Sequence, residues 1–329
     1  MKILFVGDVS NYHNTLAYAL RKAGHHCVVA SNARSWQRLD HDLDISRADG
    51  ILGTAAFALK LPRILSQMRG FDIVHFISPH FLPLKPDKLR KVLHYLKKHN
   101  SHLFYSACCT DLDYLNTCHD GSTFRYSDFL IGSEPSPYVK SHEWEAHNHW
   151  HIQEVAQYHR HFIDEEPDKV RFFIGIQRDK TILKGANRLL DAARRITLRY
   201  PHLCSLTVAE NVPYKEYVQI MNSSHVILDQ LYSYTPATNA LIAMAQGMIA
   251  VSGAEEEYYD FIGENDNRPI INVSPLNEDD IYLRLEWIVN NKHLLPSLSR
   301  ASREFVLKHN DSTIVAQKHI DFWNKICKK

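Results

Sequence analysis

The chain has 329 residues, 45% of them apolar and 23% charged, with a formal net charge of +1. That is chain enough for two domains with separate cores, in the proportions of an ordinary globular protein. Near-neutrality removes a bulk electrostatic case for nucleic acid or an anionic membrane. The N-terminal apolar run, closed by Asp8, is too short to be expected as a signal peptide, and no window approaches the roughly 20 apolar residues of a membrane span.

In chain order, residues 2–6 predict a strand, then a Gly-Asp loop and a helix over 14–23 that ends at Gly24. Further strands are expected at 26–30, 72–77 and 102–107, with a weaker one at 129–131. Pro79 and Pro83 mark a loop before a helix over 86–99. The second half repeats the rhythm, with strands at 171–174, 205–208, 226–228, 249–252 and 269–273. Its helices fall at 186–199, 214–222 and 236–246, and a helical tail over 279–328 breaks near Pro296 and Asn310. Short, nearly continuous apolar strands alternating with helices predict an α/β fold built on parallel, doubly wound sheets. The acidic, Pro-containing DEEPD at 164–168 fits neither pattern and is read as the linker. The expected domains are therefore 1–164 and 165–310, followed by a final helical segment, 311–329. Two such halves facing each other put a ligand cleft at the C-terminal ends of the strands. Six scattered cysteines with no CxxC pair read as reduced thiols of a cytoplasmic protein.

The stretch with most chemical content is 228–258. An apolar run ends in Asp229, a polar aromatic loop follows, and Thr235-Pro236 reads as cap and first residue of an Ala-rich helix stopped by Gly247. The amides of Ala237, Thr238 and Asn239 would then point without partners at the mouth of a strand–loop–helix unit, as an anion site.

With FFIGIQRDKTILKGANRLLDAARRI at 172–196 and SSHVILDQLYSYTPATNALIAMAQGMIAVSGAEEE at 223–257, the second half resembles retaining glycosyltransferases of the GT-B fold, the large family 4 group that uses nucleotide sugars. The opening KILFVGDVSNYHNTLAYALRKAGHHCVVAS is similar to that family's first strand–loop–helix. The tail is similar to its last helices, the final one of which packs back on the N-terminal domain. There are two departures. The family's two glutamates, with seven residues between them, align with Tyr234 and Ile242, which cannot accept a hydroxyl as a carboxylate does. A variant branch with DQ-x-x-S-Y before the helix and G-x-E-x-E after the next strand is the nearer match. The region between Trp150 and Arg171 is also short, which suggests a first domain reduced on its acceptor side.

The resemblance implies that Lys184, beside Gly185 at a helix start, reaches the donor diphosphate, with Arg178 as a second cation. It makes Thr235, Ala237, Thr238 and Asn239 the phosphate-facing helix start, with Tyr232 and Tyr234 near the base or sugar. Glu255 and Glu257 stand where a carboxylate could replace the missing ones. In the first domain Gly7 allows close backbone approach, while His13, read on the same loop as Asp8 and Asn11, and Asp111 are candidates for catalytic proton transfer. Plainer readings exist: a solvated basic loop for 177–184, a capped core helix for 236–246, a solvated helix start for Glu255–Glu257 and a loop histidine for His13. The His-rich 141–162 places His147, His151 and Glu143 on one helix face. It lacks the HExxH order and reads better as an amphipathic helix than as a metal site.

The expectation is thus a GT-B glycosyltransferase, retaining and needing no metal or cofactor. It would move a hexose-type sugar from a nucleotide diphosphate sugar, its donor substrate, to a glycan or lipid-linked acceptor in surface polysaccharide synthesis. No nucleic-acid partner is expected, and membrane contact would be at most peripheral, at the inner face. The competing readings are a non-catalytic relative that binds a nucleotide sugar or a partner enzyme, and a nucleotide-sugar epimerase.

Overall fold

Among the described residues every strand pairing is parallel, as apolar runs buried on both faces require. The computed structural model describes residues 1–32, 40–77, 81–106, 130–131, 155–158, 161–176, 181–233, 235–277 and 279–327. It divides into two compact units, Met1–Ile152 with Ser312–Lys329, and Gln153–Asp311.

In the first unit the strands are β1 (Lys2–Val6), β2 (His26–Ser31), β3 (Leu43–Asp44), β4 (Ile73–Phe76), β5 (His102–Tyr105) and β6 (Leu130–Ile131). Their order is β3-β2-β1-β4-β5-β6, the doubly wound order of dinucleotide-binding folds. Its helices are α1 (Tyr12–Lys22), α2 (Gly50–Gln67) and α3 (Pro86–His99). The pleat sorts the side chains. Leu4, Val6, Val74, Phe76, Leu103 and Tyr105 face α2 and α3, whereas Ile3, Phe5, Val29, Ile73 and Phe104 face α1. Helix α1 begins at Tyr12, two residues before the expected start. Ser10 and Asn11 take left-handed φ of 52° and 66°, and the Asp8 carboxylate accepts the amides of His13 and Asn14 at 3.1 and 3.2 Å. That side chain satisfies donors the helix leaves open. The sequence pattern predicts neither β3 nor α2.

In the second unit β7 (Val170–Ile176), β8 (Cys204–Glu210), β9 (Val226–Leu228), β10 (Ile249–Ser252) and β11 (Ile271–Asn272) run in the order β11-β10-β9-β7-β8. Its helices are α4 (Thr181–Lys184), α5 (Ala186–Arg199), α6 (Tyr214–Asn222), α7 (Thr238–Gln246), α8 (Glu256–Ile262), α9 (Asp280–Asn290) and α10 (Leu295–His309). Phe172, Ile174, Val226, Leu228, Ile249 and Val251 pack with α5 and α9. Phe173, Ile227 and Ala250 face α6, α7 and α10 from the other side. The DEEPD stretch lies inside this unit, where Lys292 reaches Glu166 at 3.3 Å and donates to the carbonyls of Pro167 and Asp168. The last helix, α11 (Ser312–Cys327), belongs to the first unit, with Val315, Ala316 and Trp323 buried against the α1 side of its sheet.

The end of α10 is fastened by Glu264, which has no exposed side-chain surface. Its carboxylate accepts Lys308 at 2.7 Å, His309 Nε2 at 2.6 Å and the amides of Asp266 and Asn267. Burial alone would raise this carboxyl, but those donors outweigh it and hold it well below the usual range. A depressed folded pKa adds stability that is present above the unfolded value, about 4.3, and is lost as pH falls towards the folded one. Urea unfolding of the wild type should therefore weaken steeply below that pH, and Glu264→Gln should flatten the slope. An unchanged slope would contradict the assignment.

Candidate functional site

In the second unit the strand order turns over between β7 and β9, the place where loops diverge and parallel sheets bind ligands. Asp229 follows β9 directly and is buried, its side chain only 1% exposed. One carboxylate oxygen accepts the Ala237 amide at 3.0 Å and the Ser252 hydroxyl at 3.5 Å. The other lies 3.4 Å from Lys184 Nζ. Lys184, at the end of α4 behind β7, keeps 27% of its side chain exposed. The side chain therefore touches Asp229 at its ammonium while part of it stays in solvent. The Leu231 amide donates to the Lys184 carbonyl at 2.8 Å, strapping the two loops together. Gly185 has φ +66°, and a Cβ there would stand 2.8 Å from Leu231 Cβ; the close approach and the left-handed backbone both require glycine.

The structure corrects the expected helix start. Gln230 donates to the Thr235 carbonyl at 2.9 Å and Asp229 holds the Ala237 amide, so the chain from Thr235 to Ala237 stays non-helical. Ala237 is the extended N-cap (φ −86°, ψ 174°), and α7 begins at Thr238. Thr235 is buried and caps nothing; its amide bonds the Ser233 hydroxyl at 3.3 Å. Among the described residues no side chain caps the helix, so the half-buried Thr238 and Asn239 open it, while the amide of Ala237 is already engaged.

Tyr232 is 37% exposed, and its hydroxyl accepts Arg188 Nη1 at 3.4 Å. Arg188, one turn after Lys184, also donates to the Pro275 carbonyl at 3.0 Å. The sequence offers only its i+4 spacing from Lys184 as a sign that it belongs to the site. Glu255 is half-buried as the N-cap of α8, and Glu257 is exposed. Among the described residues no hydrogen bond or ion pair joins either to Lys184, whereas Glu256 pairs with Arg268 at 2.6 Å. Ile242, where the family carries an acid, is buried in α7. Arg178, Tyr234, Asp111, His147, His151 and Glu143 lie outside the described residues.

In the first unit Gly7 takes φ +81°, and its carbonyl accepts His13 Nδ1 at 2.6 Å. His13 is not a loop residue. It sits in the first turn of α1 with no exposed surface, its ring 4.8 Å from Phe5 and 5.2 Å from His75. The early helix start carries it inward, so it is a core histidine beyond the reach of an acceptor hydroxyl. The acid of this loop is Asp8. Burial pushes its carboxyl up to about 7 despite the lowering effect of the amides of His13 and Asn14. Asp8 keeps part of its surface exposed, next to the left-handed Ser10 and Asn11 and at this sheet's own reversal between β1 and β4.

No family model and no curated protein sequence matches the chain. Solved structures do. The chain is similar to sucrose-phosphate synthase from Thermosynechococcus elongatus at 12% identity and a TM-score of 0.64, over 99% of each chain. It is similar to HepE of Anabaena, solved with UDP and glucose, at 11% identity and a TM-score of 0.59, over 99% of this chain and 100% of that one. A putative UDP-N-acetylglucosamine 2-epimerase from Listeria monocytogenes gives 10% identity and a TM-score of 0.53, over 96% and 94%. At these identities the likeness is one of fold: the chain has the GT-B fold, built of two Rossmann-like domains.

Proposed function

We propose that the protein is a retaining glycosyltransferase that moves a hexose-type sugar from a nucleotide diphosphate sugar to a glycan or lipid-linked acceptor, in surface polysaccharide synthesis. The donor is its substrate, and the reading invokes no cofactor or metal. The observation that carries it is the pairing, at the β7/β9 reversal, of the partly exposed Lys184 side chain with a helix start that no described side chain caps. Transfer leaves negative charge on the departing diphosphate, and preorganised donors stabilise such charge best. Lys184 has three donors, so it can keep Asp229 and turn the others to phosphate. The amides of Thr238 and Asn239 add the helix dipole. Tyr232, held by Arg188, offers a ring for the base or sugar. Asp229 is a positioning residue that fixes both Lys184 and the start of α7. Glu255 and Glu257 remain the candidates for the sugar hydroxyls.

A second reading, a GT-B relative that binds a nucleotide sugar without turnover, is favoured by the burial of Ile242 where a carboxylate is usual. Consumption of UDP- or GDP-sugar only when an acceptor lysate is present supports the transferase. Binding without consumption supports the non-catalytic relative, and release of nucleotide diphosphate without acceptor points to epimerase-type chemistry.

Two measurements check the site. A nucleoside diphosphate at about a hundred times its Kd adds about 2.7 kcal/mol, visible as a rise in Tm. Lys184→Ala should abolish that rise, and an undiminished one would refute the phosphate assignment. Asp229→Ala leaves the Ala237 amide and the Ser252 hydroxyl without their acceptor and should cost about 1–3 kcal/mol in urea unfolding. Asp229→Asn, which keeps an acceptor, should cost less; equal losses would mean the hydrogen bonds do not matter.

A further inference from the structure

Helix α2, GILGTAAFALKLPRILSQ, is apolar on two sides. Gly53, Phe57 and Ile64 are its buried face. At about 3.6 residues per turn, Ile51, Leu52, Ala55, Leu59 and Pro62 fall on the opposite side. Ile51, Leu52 and Leu59 are 88%, 86% and 85% exposed. The outward stripe of a helix at a water surface is ordinarily polar, and among the described residues nothing covers this apolar one.

Beside it runs α3, on the same face of the sheet. Tyr95 donates to the Leu65 carbonyl at 3.4 Å, and Asn100 donates to the Met68 carbonyl at 3.0 Å. The outer faces of the two helices therefore share one side of the first unit. On α3 that side is cationic: Lys88, Lys91, Lys97 and Lys98 are exposed, and Asp87 is the helix's single acid. Residues 50–100 hold nine lysines and arginines against two acids, in a chain whose whole net charge is +1. The rest of the chain is therefore negative on balance. Lys60 is neutralised by Asp44 at 2.6 Å, which leaves the positive charge concentrated on α3 and around Arg63 and Arg69.

We propose that the outer faces of α2 and α3 dock the protein on a bilayer rich in anionic phospholipid. Ile51, Leu52 and Leu59 enter the boundary between headgroups and acyl chains, and the lysines of α3 lie on the lipid phosphates. Exposed apolar side chains flanked by cations are the recognised composition of interfacial helices. A nucleic acid would take the lysines but leave the apolar stripe wet. A second copy would set one cationic surface against another. The proposal stands on the first unit alone and does not depend on the donor site.

The test is co-sedimentation of the full chain with phosphatidylcholine vesicles and with equimolar phosphatidylcholine and phosphatidylglycerol. Binding is expected to the mixed vesicles, with little to the neutral ones and weakening as salt is raised. The triple variant Ile51→Ser, Leu52→Ser, Leu59→Ser should bind at least about tenfold more weakly, as should Lys88→Glu, Lys91→Glu, Lys98→Glu. These positions are exposed, so both variants should keep the wild-type Tm and its response to nucleoside diphosphate, which separates failure here from failure of the donor site. Four results would overturn the proposal: no sedimentation with mixed vesicles, equal sedimentation with neutral ones, unchanged sedimentation of either folded variant, or binding only to heparin or to a second copy of the chain.

Discussion

The second unit is organised around a carboxylate buried at the end of its central strand. Leaving Asp229 there unpaired would cost far more than any one hydrogen bond contributes. Its position is tolerable because the Ala237 amide, the Ser252 hydroxyl and Lys184 converge on it. Those three come from the loop after β9, the end of β10 and the helix behind β7. One side chain therefore decides where α7 begins, how the β9 loop runs and which way Lys184 faces. It also limits what can bind. A phosphate at Lys184 would bring a like charge near Asp229, a repulsion of about 1 kcal/mol at 4 Å in water and about 4 kcal/mol at an effective dielectric of 20. The lysine between them must offset a term of that size, which makes its charge indispensable to anion binding there.

The first unit departs from the chain's average in two ways. Its core holds histidines: His13, His75 and His319 are all fully buried. Tyr12 donates to His319 at 2.9 Å, His75 lies 2.8 Å from the Ser106 hydroxyl, and Trp323 packs edge-on against His75. These contacts fasten α11 to β4 and α1, so part of the chain's histidine content is packing. The other departure is the surface of α2 and α3, where charge and apolar area are segregated in a way the whole-chain charge of +1 conceals.

Strands such as β4, β9 and β10 were legible because each is a short apolar run buried along its whole length, whereas β3, two half-buried residues, was not. β9 and β10, and helices α5 and α6, fall where the sequence pattern places them. What was not legible depended on single side chains reaching across the fold. Thr235-Pro236 has the composition of a helix start, but Asp229 and Gln230 hold it extended. His13 reads as a loop residue because nothing local announces that Ser10 and Asn11 adopt left-handed backbone or that Asp8 supplies the missing acceptors. Helix α2 escaped the reading because it has no polar stripe to give it a 3.6-residue period and carries Pro62 inside. Of the site, Lys184 and Gly185 were legible through their place behind β7. Arg188 and the Asp229 latch emerge only when the loops are set beside one another.

At the donor-facing end of the second sheet, α7 opens with two amides that no described side chain caps, while a third is already held by Asp229. Residue-resolved amide hydrogen exchange of Ala237, Thr238 and Asn239, with and without UDP or GDP, tests it directly. The prediction is slow exchange at Ala237 under both conditions, with Thr238 and Asn239 fast in the free protein and protected once nucleoside diphosphate binds. Saturating nucleotide that leaves Thr238 and Asn239 unprotected, or fast exchange at Ala237 in the free protein, would contradict it.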